Sequence, residues 1–156
     1  SPEESNTQKN SGVAINQSFF VGGDSRLGFS GFSGSQESYE RIVYGPYLTW
    51  AITKQVFFDS ELFLQDKKIK SNSAHEKGYA TFHRLGWEIS KGIIPFTQFD
   101  RSFLNDSDDT SRFDSYGVGL QWFPYPHFET TAFLGKEKAA SQPENDLWWL
   151  MLNLYL

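Results

Sequence analysis

The chain has 156 residues, a formal net charge of −5 and a mean hydropathy of −0.49. That is one domain's length, with no apolar run near the ~18–20 residues of a membrane helix. The acidic balance leaves little for phosphate neutralisation, so no nucleic-acid partner is expected; the lack of cysteine excludes disulfide frameworks and thiolate metal sites. Set against this soluble profile, 17% of the residues are aromatic, 15 Phe, 7 Tyr and 5 Trp, beside 13 Gly. This is β composition, with more aromatic surface than a small soluble sandwich easily hides.

Residues 1–11 (SPEESNTQKNS) are polar and aperiodic, and are expected to form a disordered arm or an export remnant. No basic stretch followed by an apolar core opens the chain, so any signal peptide is expected to be gone. Residues 12–156 are expected to form one β-domain. Nine short segments follow one another at 12–21, 26–34, 39–50, 55–66, 78–90, 93–102, 112–123, 128–137 and 146–156. None has a helical period or a helix start or stop signal. The second is weakened as a strand by Gly28, Gly31 and Gly34. In 55–66, Val56, Phe58, Ser60, Leu62 and Leu64 alternate with Gln55, Phe57, Asp59, Glu61, Phe63 and Gln65. In 112–123, Tyr116, Val118, Leu120 and Trp122 alternate with Ser115, Gly117, Gly119 and Gln121. Each such strand has an apolar face and a mixed polar face.

Two architectures share that pattern. A soluble sandwich or lipocalin-like barrel turns the apolar face inward; a membrane barrel turns it outward to lipid. Periodicity carries no sign, so other features must choose. The connections alternate between short (22–25, 51–54, 91–92, 124–127) and longer polar ones (67–77, 103–111, 138–145, with 35–38 slightly extended). Aromatics gather where segments meet turns. Trp50, Trp87, Trp122, Tyr125 and Trp148 are the predicted members of interfacial girdles, where an amphipathic ring is best placed. The last segment, Leu-Trp-Trp-Leu-Met-Leu-Asn-Leu-Tyr-Leu, puts Trp148, Leu150, Leu152, Leu154 and Leu156 on one face. That alternation resembles the C-terminal signal read by the assembly machinery of bacterial outer-membrane barrels, although Leu stands where the terminal Phe is usual.

The stretch Tyr116-Gly-Val-Gly-Leu-Gln-Trp-Phe-Pro-Tyr-Pro-His-Phe-Glu129, followed by Leu147 to Leu156, resembles the C-terminal part of bacterial porin-like outer-membrane proteins. The resemblance is specific over roughly the last forty residues. It implies an antiparallel up-and-down transmembrane β-barrel in the outer membrane, with a periplasmic C-terminus. It implies contact with outer-membrane lipid and lipopolysaccharide, and with the barrel-assembly machinery. It does not imply a substrate. Single-chain bacterial barrels have even strand counts, so nine segments pose a parity problem. Either the first segment does not span, leaving about eight strands closed on themselves, or the chain is the C-terminal part of a larger barrel completed or plugged by another chain. The small closed barrel is the preferred expectation.

On the polar face lie Arg41, Asp59, Glu61, Arg84, Glu88, Asp100 and Glu129. Opposite charges in a narrow barrel pair with one another, since lone buried charges are costly. In a wider barrel they would line a channel. The function expected is a porin-like or structural barrel without catalysis. The alternatives are a barrel scaffold holding a partner protein in the outer membrane and a soluble β-barrel or sandwich binding a ligand. No cofactor is expected. His75, His83 and His127 share no metal-ligand spacing, and none is followed by the His-x-Ser of membrane-embedded lipid hydrolases, though a serine elsewhere could reach one. The acidic loop 105–110 lacks the glycine and closing glutamate of a calcium loop. Lys67-Lys-Ile-Lys70 reads as a solvated loop, and Gly45-Pro46 as a bulge or strand end.

Overall fold

The protein, analysed as a computed structural model, is described over residues 10–105, 108–140 and 142–155. It is all β apart from one 3-10 turn at Asp109–Ser111. The strands are β1 (Asn10–Phe20), β2 (Asp24–Ser35), β3 (Tyr39–Ala51), β4 (Val56–Ile69), β5 (His75–Trp87), β6 (Ile93–Phe103), β7 (Arg112–Tyr125), β8 (Phe128–Ala139) and β9 (Asn145–Leu154). They pair in chain order as one antiparallel up-and-down sheet. The sheet is open: β1 and β9 are its two edges. Every neighbour reverses direction, so β1 and β9 run the same way.

The expected closed sheet of about eight strands is therefore corrected to nine strands, unclosed. β1 pairs with β2 along its whole length, from Asn10↔Gly34 to Phe20↔Asp24. Two residues assigned to the polar arm, Asn10 and Ser11, belong to this strand; the rest of the arm lies outside the described residues. β2 survives its glycines because Gly28 lies beneath the Tyr47 ring, where a Cβ would collide with it. The aromatic ring from the neighbouring strand covers what the missing side chain leaves bare.

Register assigns the two faces. One carries Asp59, Glu61, Arg84, Asp100 and Glu129; the other carries Leu48, Phe58, Leu85, Val118 and Leu150. The polar face is the covered one. On it Phe133 is 2% exposed, Phe96 4% and Glu129 5%, while outward Leu154 is 76%, Trp148 74% and Leu134 66% exposed. No second layer is present among the described residues. One sheet can shield side chains this fully only by curling toward them, so the polar face is concave. The rings of Phe96, Phe133 and Trp149 stack across β6, β8 and β9, with centroids 6.3 and 5.4 Å apart. Gly119 of β7 leaves the space for Phe96 to reach Phe133.

The turns fall on two rims as expected, with 21–23, 52–55, 88–92 and 126–127 on one and 36–38, 70–74, 104–111 and 140–144 on the other. The contrast in length is smaller than expected. Strand takes both ends of the polar tract 67–77, leaving 70–74 as the connection, whereas 138–145 yields only Lys138, Ala139 and Asn145 to strand. Cross-strand contacts tie the strands together here: the ion pairs Lys67–Glu76 at 2.8 Å and Lys136–Asp146 at 2.6 Å, and a hydrogen bond of 2.8 Å between His75 Nδ1 and Asp66 Oδ1.

Gly45-Pro46 is also corrected. β3 keeps one register with β4 on both sides, Tyr44↔Leu64 and Tyr47↔Glu61, so the pair is neither a bulge nor a strand end but a two-residue gap in the β3–β4 pairing. The irregularity sits at Trp122/Tyr125, beside Pro124. A Cβ on Gly45 would run into the Leu62 carbonyl oxygen, a backbone atom that cannot swing aside. Gly45→Ala is expected to cost about 3 kcal/mol, the upper end for overpacking, read as a lowered urea midpoint.

Candidate functional site

The concave face concentrates its chemistry between β5 and β9. Arg84 projects from β5 and lies 3.9 Å from the centroid of the Phe96 ring, with Phe57 at 5.9 Å. It reaches over β6 to β7, where its Nη2 donates to Gln121 Oε1 at 2.6 Å. Gln121 Nε2 donates in turn to Glu129 Oε1 at 2.7 Å. Thr131 Oγ1 donates to the same oxygen at 2.9 Å. The Tyr155 hydroxyl donates to Glu129 Oε2. Asp59 opposes Arg84 in register. The buried Arg84 Nε has no hydrogen-bond partner among the described residues. A second group forms around Asp100, whose Oδ2 accepts from Gln98 Nε2 at 2.8 Å and Ser115 Oγ at 2.9 Å. A buried carboxylate with donors on both oxygens is fixed in place. A guanidinium lying on a ring has few other positions to take.

Of the seven predicted interior residues, the structure brings Asp59, Arg84 and Glu129 into one neighbourhood. Asp100 sits in the adjoining group. Glu61 lies on the same face between Tyr47 and Phe82, and Arg41 nearer the opposite rim between Gly34 and Lys67. Glu88 departs from the expectation. It falls beyond the end of β5, and its Oε1 accepts from the Gly92 N–H at 2.9 Å, so it closes a turn. Gln121, Tyr155, Thr131, Gln98 and Ser115 were not anticipated. Their signal is position alone, at alternate sites facing the charges. On the β1–β2 side the same face carries Gly12, Ala14, Ser18, Ser30 and Gly34 together with the larger Arg26 and Phe32.

The convex face is an apolar band with aromatic borders. Trp50, Trp87, Trp122 and Tyr125 are exposed along the rim of turns 52–55, 88–92 and 126–127. Trp148 stands at the other border, opposite Leu134 and one outward position from the Lys136–Asp146 pair. Tyr44, Tyr79 and Tyr116 are also outward toward this rim, Tyr44 and Tyr79 flanking Leu64 and Tyr116 beside Lys136; each follows a charged tract with outward parity. From Tyr79 to Trp87 the strand covers about 26 Å at ~3.3 Å per residue. Leu150, Leu152 and Leu154 are all outward and exposed; Leu156 lies outside the described residues.

His75 is the first residue of β5, not a loop residue, and pairs with Asp66 on the convex side. His127 holds a left-handed φ of 66° in the β7–β8 turn. His83 is outward within the band; its Nδ1 lies 3.0 Å from Ser60 Oγ, and its ring is stacked between Phe58 and Phe99. In the acidic loop, Asp106 and Ser107 lie outside the described residues. Asp108 is held below the usual carboxylate range by the Thr110 hydroxyl and N–H, which donate to it at 2.6 and 2.9 Å.

No family model matches the chain, and no curated protein matches its sequence.

Proposed function

We propose that this chain forms the wall of an outer-membrane β-barrel, porin-like or structural rather than catalytic, with a polar interior and a periplasmic C-terminus. One observation carries the reading: the sign of the pattern. Charged and hydrogen-bonding groups occupy the covered concave face, and Leu, Val, Trp and Tyr occupy the exposed convex face. A soluble barrel or sandwich has the opposite sign, because water rewards burial of the apolar side. A continuous apolar exterior bordered by Trp and Tyr, with ion pairs beyond the border, is the outer surface suited to a bilayer. β1 and β9 run in the same direction, so an antiparallel closure takes an odd number of further strands, bringing the count to an even one. Those strands come from another segment of polypeptide. The filled β5–β9 side then acts as a rigid polar lining. The outward row from Trp148 to Leu154 is the part offered to the assembly machinery.

Detergent dependence tests the reading. The protein is expected to be monodisperse only in micelles, and to run as a compact species on an unboiled gel if the nine strands hold together without their missing neighbours. Monodispersity in plain buffer would return the apolar face to a soluble binder. Conductance in planar bilayers then divides the two membrane variants: discrete steps belong to a pore, and silence belongs to a scaffold or plugged barrel.

A further inference from the structure

Just beyond the loop-side aromatic border, the convex face holds a cavity of about 360 Å³ lined by Phe103, Arg112, Asp114, Lys138 and Ala140. These strand residues share outward parity with Tyr116 and Leu134. The cavity therefore opens on the side that carries the apolar band, where that band gives way to charge. Asp114 is its keystone. Arg101 Nε donates to Asp114 Oδ1 at 2.7 Å, and Arg112 Nη2 to Oδ2 at 2.6 Å. The carboxylate side chain is only 13% exposed, whereas Arg101 and Arg112 are 36% and 42% exposed. The anion is thus tucked against the sheet and orients two guanidiniums more exposed than itself, Arg112 donating to it from Nε as well at 3.0 Å. Lys138 opposes Asp114 from β8. Three cations around one carboxylate leave two positive charges at this spot, on a chain whose net charge is −5. Lys136 is not part of this excess: with Asp146 and Glu144 it makes a neighbouring group with one net negative charge. Phe103 supplies an apolar wall beneath Arg112.

We infer that this cavity binds the phosphomonoester headgroup of a membrane lipid. The inference rests on the membrane reading above, which places the cavity at headgroup level. The charge selects the ligand within that setting. A phosphomonoester carries about −1.5 to −2 near neutral pH, which matches the two uncompensated cations; the phosphodiester of an ordinary phospholipid carries one negative charge. Planar guanidiniums held in fixed orientation suit bidentate contact with phosphate oxygens. The acyl chains would continue down the band past Tyr116 and Val118.

Native mass spectrometry of the protein in maltoside micelles tests this, with dioleoyl phosphatidic acid as the monoester and dioleoyl phosphatidylglycerol as the diester. One phosphatidic acid per protein is expected, favoured about tenfold over phosphatidylglycerol. Arg112→Ser with Lys138→Ser should abolish that preference, while Arg112→Lys with Lys138→Arg should keep most of it. The conservative pair guards against loss through misfolding. Equal binding of the two lipids, or a preference that survives the double serine variant, would overturn the assignment. Displacement of the lipid by equimolar inorganic phosphate would also overturn it, by showing a site for free anions. Protein that needs no micelle at all would remove the membrane reading and this site with it; protein held in micelles but without lipid preference would remove the site alone.

Discussion

Phe133→Ala is expected to destabilise the fold by about 3–5 kcal/mol, the range for truncating a buried phenylalanine. Phe133 is 2% exposed and stacks on Phe96 and Trp149, so one ring joins β6, β8 and β9 over the concave side. Below it are Gly117 and Gly135, which have no side chains to move into a hole. The backbone around them is fixed by the β7–β8 ladder. The cavity would stay open or fill with water, and water would find there a ring-lined surface with few partners. Glu129 and Thr131 lie on the same strand and face, so the loss should spread into their hydrogen bonds. Urea unfolding in micelles, followed by tryptophan fluorescence, measures it. A cost under about 1 kcal/mol would mean that the concave face is loosely packed and that its polar groups are not held as described.

The segments could be read because alternation is local. Each of the nine lay close to an observed strand, and the irregularity of β7 at Pro124 fell near a predicted turn. What could not be read was the direction of the pattern, since Val118 facing a core and Val118 facing lipid give the same period. Strand length was misjudged where charge hides pairing. Lys67 and Glu76 look like loop residues one by one and become an ion pair only once β4 and β5 are in register. The same holds for the site. Arg84 and Glu129 stood out as charges, but their connection through Gln121 depends on the β7 face and on a register shift between β7 and β8. Glu88 keeps the parity of Arg84 but stands one residue past the end of β5, and its part in the turn through Gly92 gave no sign in the alternation. The border tyrosines were within reach: Tyr44, Tyr79 and Tyr116 each lie at the edge of an outward apolar run. Tracking parity up to the first outward charge would have found them.

Val118→Arg is the sharpest test of which way the sheet faces. Val118 is central in the outward run of β7, between Tyr116 and Trp122, and its register partners are Thr97 and Leu134. If this face meets lipid, an arginine there places a charge near the middle of the apolar band, and the expected cost is about 2–4 kcal/mol. The same change at His75→Arg lies beyond the tyrosine border, where Asp66 already faces the ring. Its expected cost is about 0–1 kcal/mol, because the penalty fades toward the interface. The contrast between the two variants matters more than either value, since both add an arginine to the same convex face. Reversible urea unfolding in phosphatidylcholine vesicles reads both. In water neither position is covered, so a soluble sheet with this exterior would tolerate the two arginines alike, and Val118→Arg would improve its solubility. A steep depth dependence requires a medium that is apolar at Val118 and aqueous at His75, about the profile of one bilayer leaflet. A flat one would leave the exposed leucines and tryptophans to be covered by protein instead of lipid.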